Sequence, residues 1–264
     1  MGIRQAFFSL LAGIAALGLA HGARAGDLYL TGNLAISTGT GDSGGSSGLP
    51  DPFFQNTGSD TDTAPGYGGA LGIGFKLNEA IPKSWHVPMP AWTVRFEFEG
   101  MTGRTYDLRT DPNNSFFTEV SAWTFMPNLW FDIPLAPPIG WAFGRIPILD
   151  PLSLYTGAGL GLSTVDLQTT DNVSRGSAEQ FLFGWQAGIG LAYEIAERVT
   201  LMAGYRYVDM GKPDVTLKVG TAPDTAPFGK YNLALAAHEF NFGVRVNFYA
   251  IPYPEKWALR RDLR

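Results

Sequence analysis

The sequence predicts an all-β fold, an eight-stranded antiparallel transmembrane β-barrel with up-and-down meander connections. Three observations predict it. Eight short stretches alternate apolar and polar side chains, and an export-type segment precedes them. Beyond that segment, no stretch offers the about 18 consecutive apolar residues that read as a spanning helix. Successive side chains point to opposite faces of a strand, so each stretch makes one greasy face and one wet one. Within lipid every backbone polar group needs a partner in the protein, so spanning strands must close on themselves.

The N-terminus reads as a secretory signal. Arg4 supplies its positive end, Ala6 to Ala20 an apolar run, and Ala23-Arg24-Ala25 a small-residue cleavage site. Residues 1–25 are therefore set aside as the signal peptide. The barrel domain is expected over 26–249 and a short periplasmic tail over 250–264. Charged residues make up 16% of the chain, against roughly 25% in soluble domains, and there are 33 glycines. The net charge of −5 falls to about −7 without Arg4 and Arg24, which argues against nucleic acid as a partner. With no cysteine, disulfides play no part.

Strands are expected at 27–37, 66–78, 92–102, 120–132, 152–165, 181–195, 199–210 and 238–249. The first is weakly patterned. The second carries Gly68, Gly72 and Gly74 on its inner face. In the third, Trp92, Val94, Phe96 and Phe98 oppose Thr93, Arg95, Glu97 and Glu99. The fourth is weak and holds Pro127, which suggests a local irregularity. The fifth places Gly157, Gly159 and Gly161 inward. The sixth sets Phe181, Phe183, Trp185, Ala187, Ile189, Leu191 and Tyr193 against Gly184, Gln186, Gly188, Gly190 and Glu194. In the seventh, Val199, Leu201, Ala203, Tyr205 and Tyr207 oppose Thr200, Met202, Gly204 and Arg206. The eighth is clearest: Phe240, Phe242, Val244, Val246 and Phe248 against Glu239, Asn241, Arg245 and Asn247.

Alternation alone does not separate a membrane barrel from a soluble one that is apolar within. Glycine and charge share the polar face, as suits a narrow packed lumen. Aromatic residues recur near strand ends, as membrane girdles require. Overall charge is too sparse for a soluble exterior. Phe96, Phe98, Phe183, Trp185, Leu201, Tyr205, Phe240, Phe242 and Phe248 are thus expected to face lipid. The long connections 38–65, 103–119, 166–180 and 211–237 are expected outside the cell. Ala196-Glu197-Arg198 is expected as a tight periplasmic turn. The periplasmic connections 79–91 and 133–151 are long and proline-rich, and read either as interface or lumen caps or as linkers.

Tyr205-Arg206-Tyr207-Val208-Asp209-Met210-Gly211 resembles a segment of the opacity-type surface antigens, which belong with the small OmpA-like outer-membrane barrels. Tyr155-Thr156-Gly157-Ala158-Gly159-Leu160-Gly161 and the final strand 238–248 resemble the same family. The resemblance implies a cell outer-membrane location in a Gram-negative bacterium. It also implies adhesion, surface-antigen or envelope-integrity roles carried by extracellular loops. Outer-membrane lipid, lipopolysaccharide, the barrel-assembly machinery and a host or envelope ligand at the loops are the implied partners. Two features depart from the pattern. The peptidoglycan-binding domain of OmpA-type proteins is not expected after Tyr249, and Phe248 stands inward of a Pro- and Arg-containing extension where a terminal aromatic is usual.

Lys76, Arg95, Glu97, Glu99, Glu194, Arg206, Glu239 and Arg245, with Gln186, are expected to point into the lumen. Eight strands enclose just enough room for side chains, and buried charges must pair. The network then reads as a plug, with a gated narrow pore or an OmpW-like small-solute channel as the alternative. Catalysis finds little support. Gly44-Gly45-Ser46-Ser47-Gly48 matches a nucleophile elbow in letters, but lies in a Ser/Gly-rich loop rather than a strand–turn–helix. His86 and His238 are the histidines left after the signal, and neither sits beside a nucleophile. A lipid-A-modifying enzyme is the least favoured reading. Asp42, Asp51, Asp60 and Asp62 lack the ordered spacing of a calcium loop. No catalytic residue, metal or cofactor is expected.

Overall fold

The computed structural model describes residues 24–47, 58–80, 91–109, 116–137, 139, 146–171, 174–219 and 226–252. Nine strand segments follow in order: β1 (Arg24–Ser47), β2 (Gly58–Lys76), β3 (Thr93–Arg109), β4 (Phe117–Pro134), β5 (Leu152–Thr170), β6 (Ser174–Ala196), β7 (Val199–Gly211), β8 (Asp214–Val219) and β9 (Ala226–Pro252). Every pairing is antiparallel, and β1 pairs with β9 to close the ring. Both β7 and β8 pair with β6 on one side and β9 on the other, so they are two pieces of one staff. The ring therefore has eight positions. The break falls where Gly211 takes φ 89° and Pro213 supplies no N–H, a combination that ends a ladder.

The strands run much further on the extracellular side than their alternation announced. Residues 38–47 and 58–65, 103–109, 117–119, 166–170, 174–180 and 226–237 are strand, where loops were expected. The inward column of β9 explains the shortfall. Downward from the rim it reads Tyr231, Leu233, Leu235, Ala237, Glu239 and Asn241, all buried. The opposite column reads Lys230, Asn232, Ala234, Ala236, His238, Phe240, Phe242, Val244, Val246 and Phe248. Below His238 the outside is apolar and the inside polar; above it the inside is apolar. A search for one polarity of alternation stops where the other begins.

At the ends of the ring, β1 starts at Arg24, which lies opposite Pro252 of β9, beside the expected domain bounds of 26 and 249. Ala196 and Val199 pair across the tight turn that joins β6 to β7. The connection after β2 begins with a helical turn, Leu77–Ala80, and the one before β5 ends with a 3-10 turn, Pro147–Leu149. Residues 81–90 and 140–145, with Trp85, His86 and Trp141, lie outside the described residues, as do 1–23 and 253–264.

Candidate functional site

The lumen is filled in layers. Its middle holds Arg95, Arg104, Arg206 and Arg245 with Glu97, Glu99, Asp132 and Glu239, equal numbers of opposite charge. Arg95 bridges Glu97 at 3.0 Å and Asp132 at 2.9 Å, and Arg245 reaches the same Asp132 at 2.9 Å. Arg206 links Glu99 at 2.7 Å to Glu239 at 2.5 Å, while Arg104 forks onto Glu239 at 2.6 and 3.1 Å. Neutral donors complete the carboxylates. The Tyr29 hydroxyl donates to Glu97, Ser37 to Glu239, and the Asn33, Asn128 and Gln186 amides to Glu99. Buried ions of this kind persist when paired, and Arg206 Nη2 and Arg245 Nε are the buried guanidinium nitrogens of the network left without a hydrogen-bond partner among the described residues. The void between them is about 10 Å³, room for about one water.

Above this layer sits an apolar one, built from Tyr106, Leu108, Val120, Val165, Leu167, Val208, Met210, Val215, Leu217, Tyr231, Leu233 and Leu235 among others. Toward the periplasmic end, Trp130, Tyr155, Ala192 and Met202 form a smaller cluster. Glycines on the inner wall make room for the large side chains. A Cβ at Gly190 would meet the Tyr155 ring at 2.5 Å, and one at Gly157 would meet Trp130 at 2.6 Å.

Six of the eight charges expected inside are there: Arg95, Glu97, Glu99, Arg206, Glu239 and Arg245. Lys76 and Glu194 are not part of the buried network. Both belong to the inward column, but they sit at the periplasmic ends of β2 and β6, where the barrel opens and the side chains are exposed. Sequence reasoning missed Arg104 and Asp132. Arg104 was assigned to a loop, and its inward direction depends on a bulge: the β3–β4 register shifts between Met101 and Arg104, with Gly103 at φ 84°. An isolated glycine inside a strand is the signal for such a bulge.

On the outer wall, Phe96, Phe98, Phe183, Trp185, Leu201, Phe240, Phe242 and Phe248 are all exposed, Phe183 by 64%. Tyr205 also faces outward but is half-buried, sharing a 2.5 Å hydrogen bond with His238 Nδ1. That contact places His238 on the exterior, away from any lumen chemistry. Gly44 to Ser47 belong to β1 and pair with Gly229–Asn232 of β9, so the nucleophile-elbow pattern does not sit on a strand-to-helix turn.

The wall above the apolar belt has its own joinery. Main-chain pairing of β2 with β3 ends at Tyr67 opposite Thr102. Beyond it, Asp62 accepts from the Asp107 N–H at 2.9 Å and Asp60 from the Arg109 N–H at 2.7 Å. Two aspartates from the first long connection thus serve as side-chain rungs. Between β6 and β8, Gln180 donates to the Asp214 carbonyl at 2.7 Å and accepts from its N–H at 3.2 Å.

A closed antiparallel ring, apolar outside over one band and ionic within, defines a transmembrane β-barrel of the Gram-negative outer membrane. A profile of the outer membrane protein beta-barrel domain family matches residues 7–248, and the chain belongs to that family. It is 25% identical over 189 residues to the outer membrane protein PagN of Salmonella typhimurium, covering 69% of this chain and 73% of that one. Among solved structures, it is similar to Neisserial surface protein A (17% identity, 84% and 97% of the two chains, TM-score 0.41). OprG of Pseudomonas aeruginosa is another (15%, 86% and 99%, 0.43). Ail, the attachment invasion locus protein of Yersinia pestis, is a third (14%, 80% and 99%, 0.28).

Proposed function

We propose that this outer-membrane protein is a non-conducting barrel that presents its extracellular rim as a binding surface, as surface antigens, adhesins and envelope scaffolds do. The observation that carries this reading is the doubly closed lumen: an ionic layer with a void of about 10 Å³, capped by a packed apolar layer. A pore needs a continuous wet path, and among the described residues the small ionic-layer void and the packed apolar side chains above it argue against one. The tall hairpins supply the other half of the argument. Their main-chain ladders and side-chain rungs hold a stiff surface above the lipid, on which exposed side chains keep fixed relative positions.

The lumen side chains, including the six charges of the expected network, then serve as a structural plug, and the outward aromatic residues serve as the lipid-contacting belt. Single-channel recording of the refolded protein in a planar bilayer tests the reading. Silence is expected, with a heat-modifiable gel shift showing that the barrel has folded. Discrete openings abolished by Arg95→Gln or Glu97→Gln would make the lumen the functional site instead.

A second reading is a channel for a small apolar solute, and the apolar upper layer is what favours it. Saturable uptake of an alkane or a comparable apolar compound by protein-containing liposomes, while ionic conductance stays silent, would support it over the scaffold.

A further inference from the structure

On the outer wall above the apolar belt, β3, β4, β5, β6 and β8 border a cleft of about 840 Å³. Cross-strand register sets Arg109, Phe117, Thr170, Arg175 and Lys218 side by side across it. All five are exposed, and none of the three cations forms an ion pair among the described residues. The Arg109 guanidinium carbon lies 5.2 Å from the centroid of the Phe117 ring. Asp107 and Glu119 face each other one row lower, toward the membrane.

Solvated cations on a rim are ordinary. The uncommon element is Phe117, 40% exposed and outside the belt. It stands six residues beyond Trp123, the outward aromatic at the belt's upper edge on β4. At about 3.3 Å per residue and a tilt near 40°, that is about 15 Å above the edge. An aromatic face suits the C–H face of a sugar ring, and arginine binds phosphate or carboxylate with two parallel hydrogen bonds. Side chains stand roughly perpendicular to a sheet, so this row looks sideways along the membrane. Beside the wall of an outer-leaflet barrel lies lipopolysaccharide, whose lipid-proximal sugars carry phosphate and carboxylate groups.

We propose that Arg109, Phe117, Arg175 and Lys218 form a lateral binding site for the anionic core sugars of a neighbouring lipopolysaccharide. The site rests on the reading of the rim as a binding surface and names one partner for it. The test titrates the refolded full-length protein in detergent micelles with lipid-free, phosphorylated core oligosaccharide by calorimetry. The same oligosaccharide after dephosphorylation, and heparin, are run in parallel. Arg109→Gln/Arg175→Gln/Lys218→Gln and Phe117→Ser are the variants, each checked for folding by the heat-modifiable shift.

Binding is expected to weaken at least tenfold in the triple variant and for the dephosphorylated sugar, and clearly in Phe117→Ser. Absence of wild-type binding, unchanged binding by the folded triple variant, or tighter binding of heparin than of core sugar overturns the site; the last would point to a host glycan. Conductance separates the two proposals. A silent barrel that ignores the oligosaccharide removes this site alone, whereas a conducting barrel removes the closed-barrel reading whatever the titration gives.

Discussion

Glu239 accepts from Arg104, Arg206 and Ser37, three separate strands converging on one buried carboxylate. Neutralising it leaves two buried guanidiniums without their shared counter-charge. Glu239→Gln is expected to cost about 3–5 kcal/mol, the usual penalty for breaking a buried pair from one side. Urea unfolding in lipid or detergent, followed by gel shift, checks this. Glycines divide in a comparable way by direction. A Cβ at outward Gly32 meets nothing within 4 Å, whereas one at inward Gly72 runs into the Tyr29 ring. Gly32→Leu should leave the unfolding midpoint nearly unchanged or raise it, while Gly72→Ala should lower it or block folding. Similar losses at both positions would contradict the assigned inner and outer faces. Among outward residues, Phe242→Arg is expected to cost about 2–4 kcal/mol near the bilayer midplane, and Phe242→Leu little.

At the scale of single elements, legibility followed the contrast between the two faces. β7 and the lower parts of β6 and β9 alternate sharply and were placed to within a few residues, with Arg206 and Glu239 facing the lumen. Upper continuations were lost, in β9 because Leu235-Ala236-Ala237 offers no contrast, and in β5 because Thr164-Val165-Asp166-Leu167 carries the opposite one. The bulge at Gly103 hid Arg104 for a different reason. One extra residue reverses which parity faces in, and parity is the only evidence a strand pattern gives. Lys76 and Glu194 show the limit of parity itself: it fixes a column, not a height, and at the open end of the barrel an inward column meets water. Deleting Gly103 alone should therefore remove the bulge yet keep Arg104 on Glu239, with folding retained in the gel-shift assay, whereas deleting Thr102 and Gly103 together should turn Arg104 outward, strand Glu239 with one arginine, and reduce folding yield.

Across the whole molecule, two packed layers lie in series along the lumen, charge below and hydrocarbon above, and on the closed-barrel reading each seals it. Hollowing one layer should not open the barrel. Small polar replacements of Glu99, Arg206 and Glu239 together are expected to leave bilayer recordings silent, as are glycine replacements of Leu233 and Leu235. Combining the two sets, if the gel shift still reports a folded barrel, should give discrete openings. Conductance from either set alone would mean that the remaining layer does not seal.

The inward column reverses polarity near Ala237 and Glu239. Above that point the chain obeys the rules of a water-borne protein, and below it those of a lipid-borne one, within a single uninterrupted strand. The switch is a waterline written into the side chains. The β1–β9 ladder runs straight through it, with Gly39, Thr38 and Ser37 opposite Ala237, His238 and Glu239 in unbroken register, so along this seam the depth at which the barrel floats is separable from the pairing that holds it together. Moving the switch along every staff by one repeat would raise or sink the vessel without redesigning the hull.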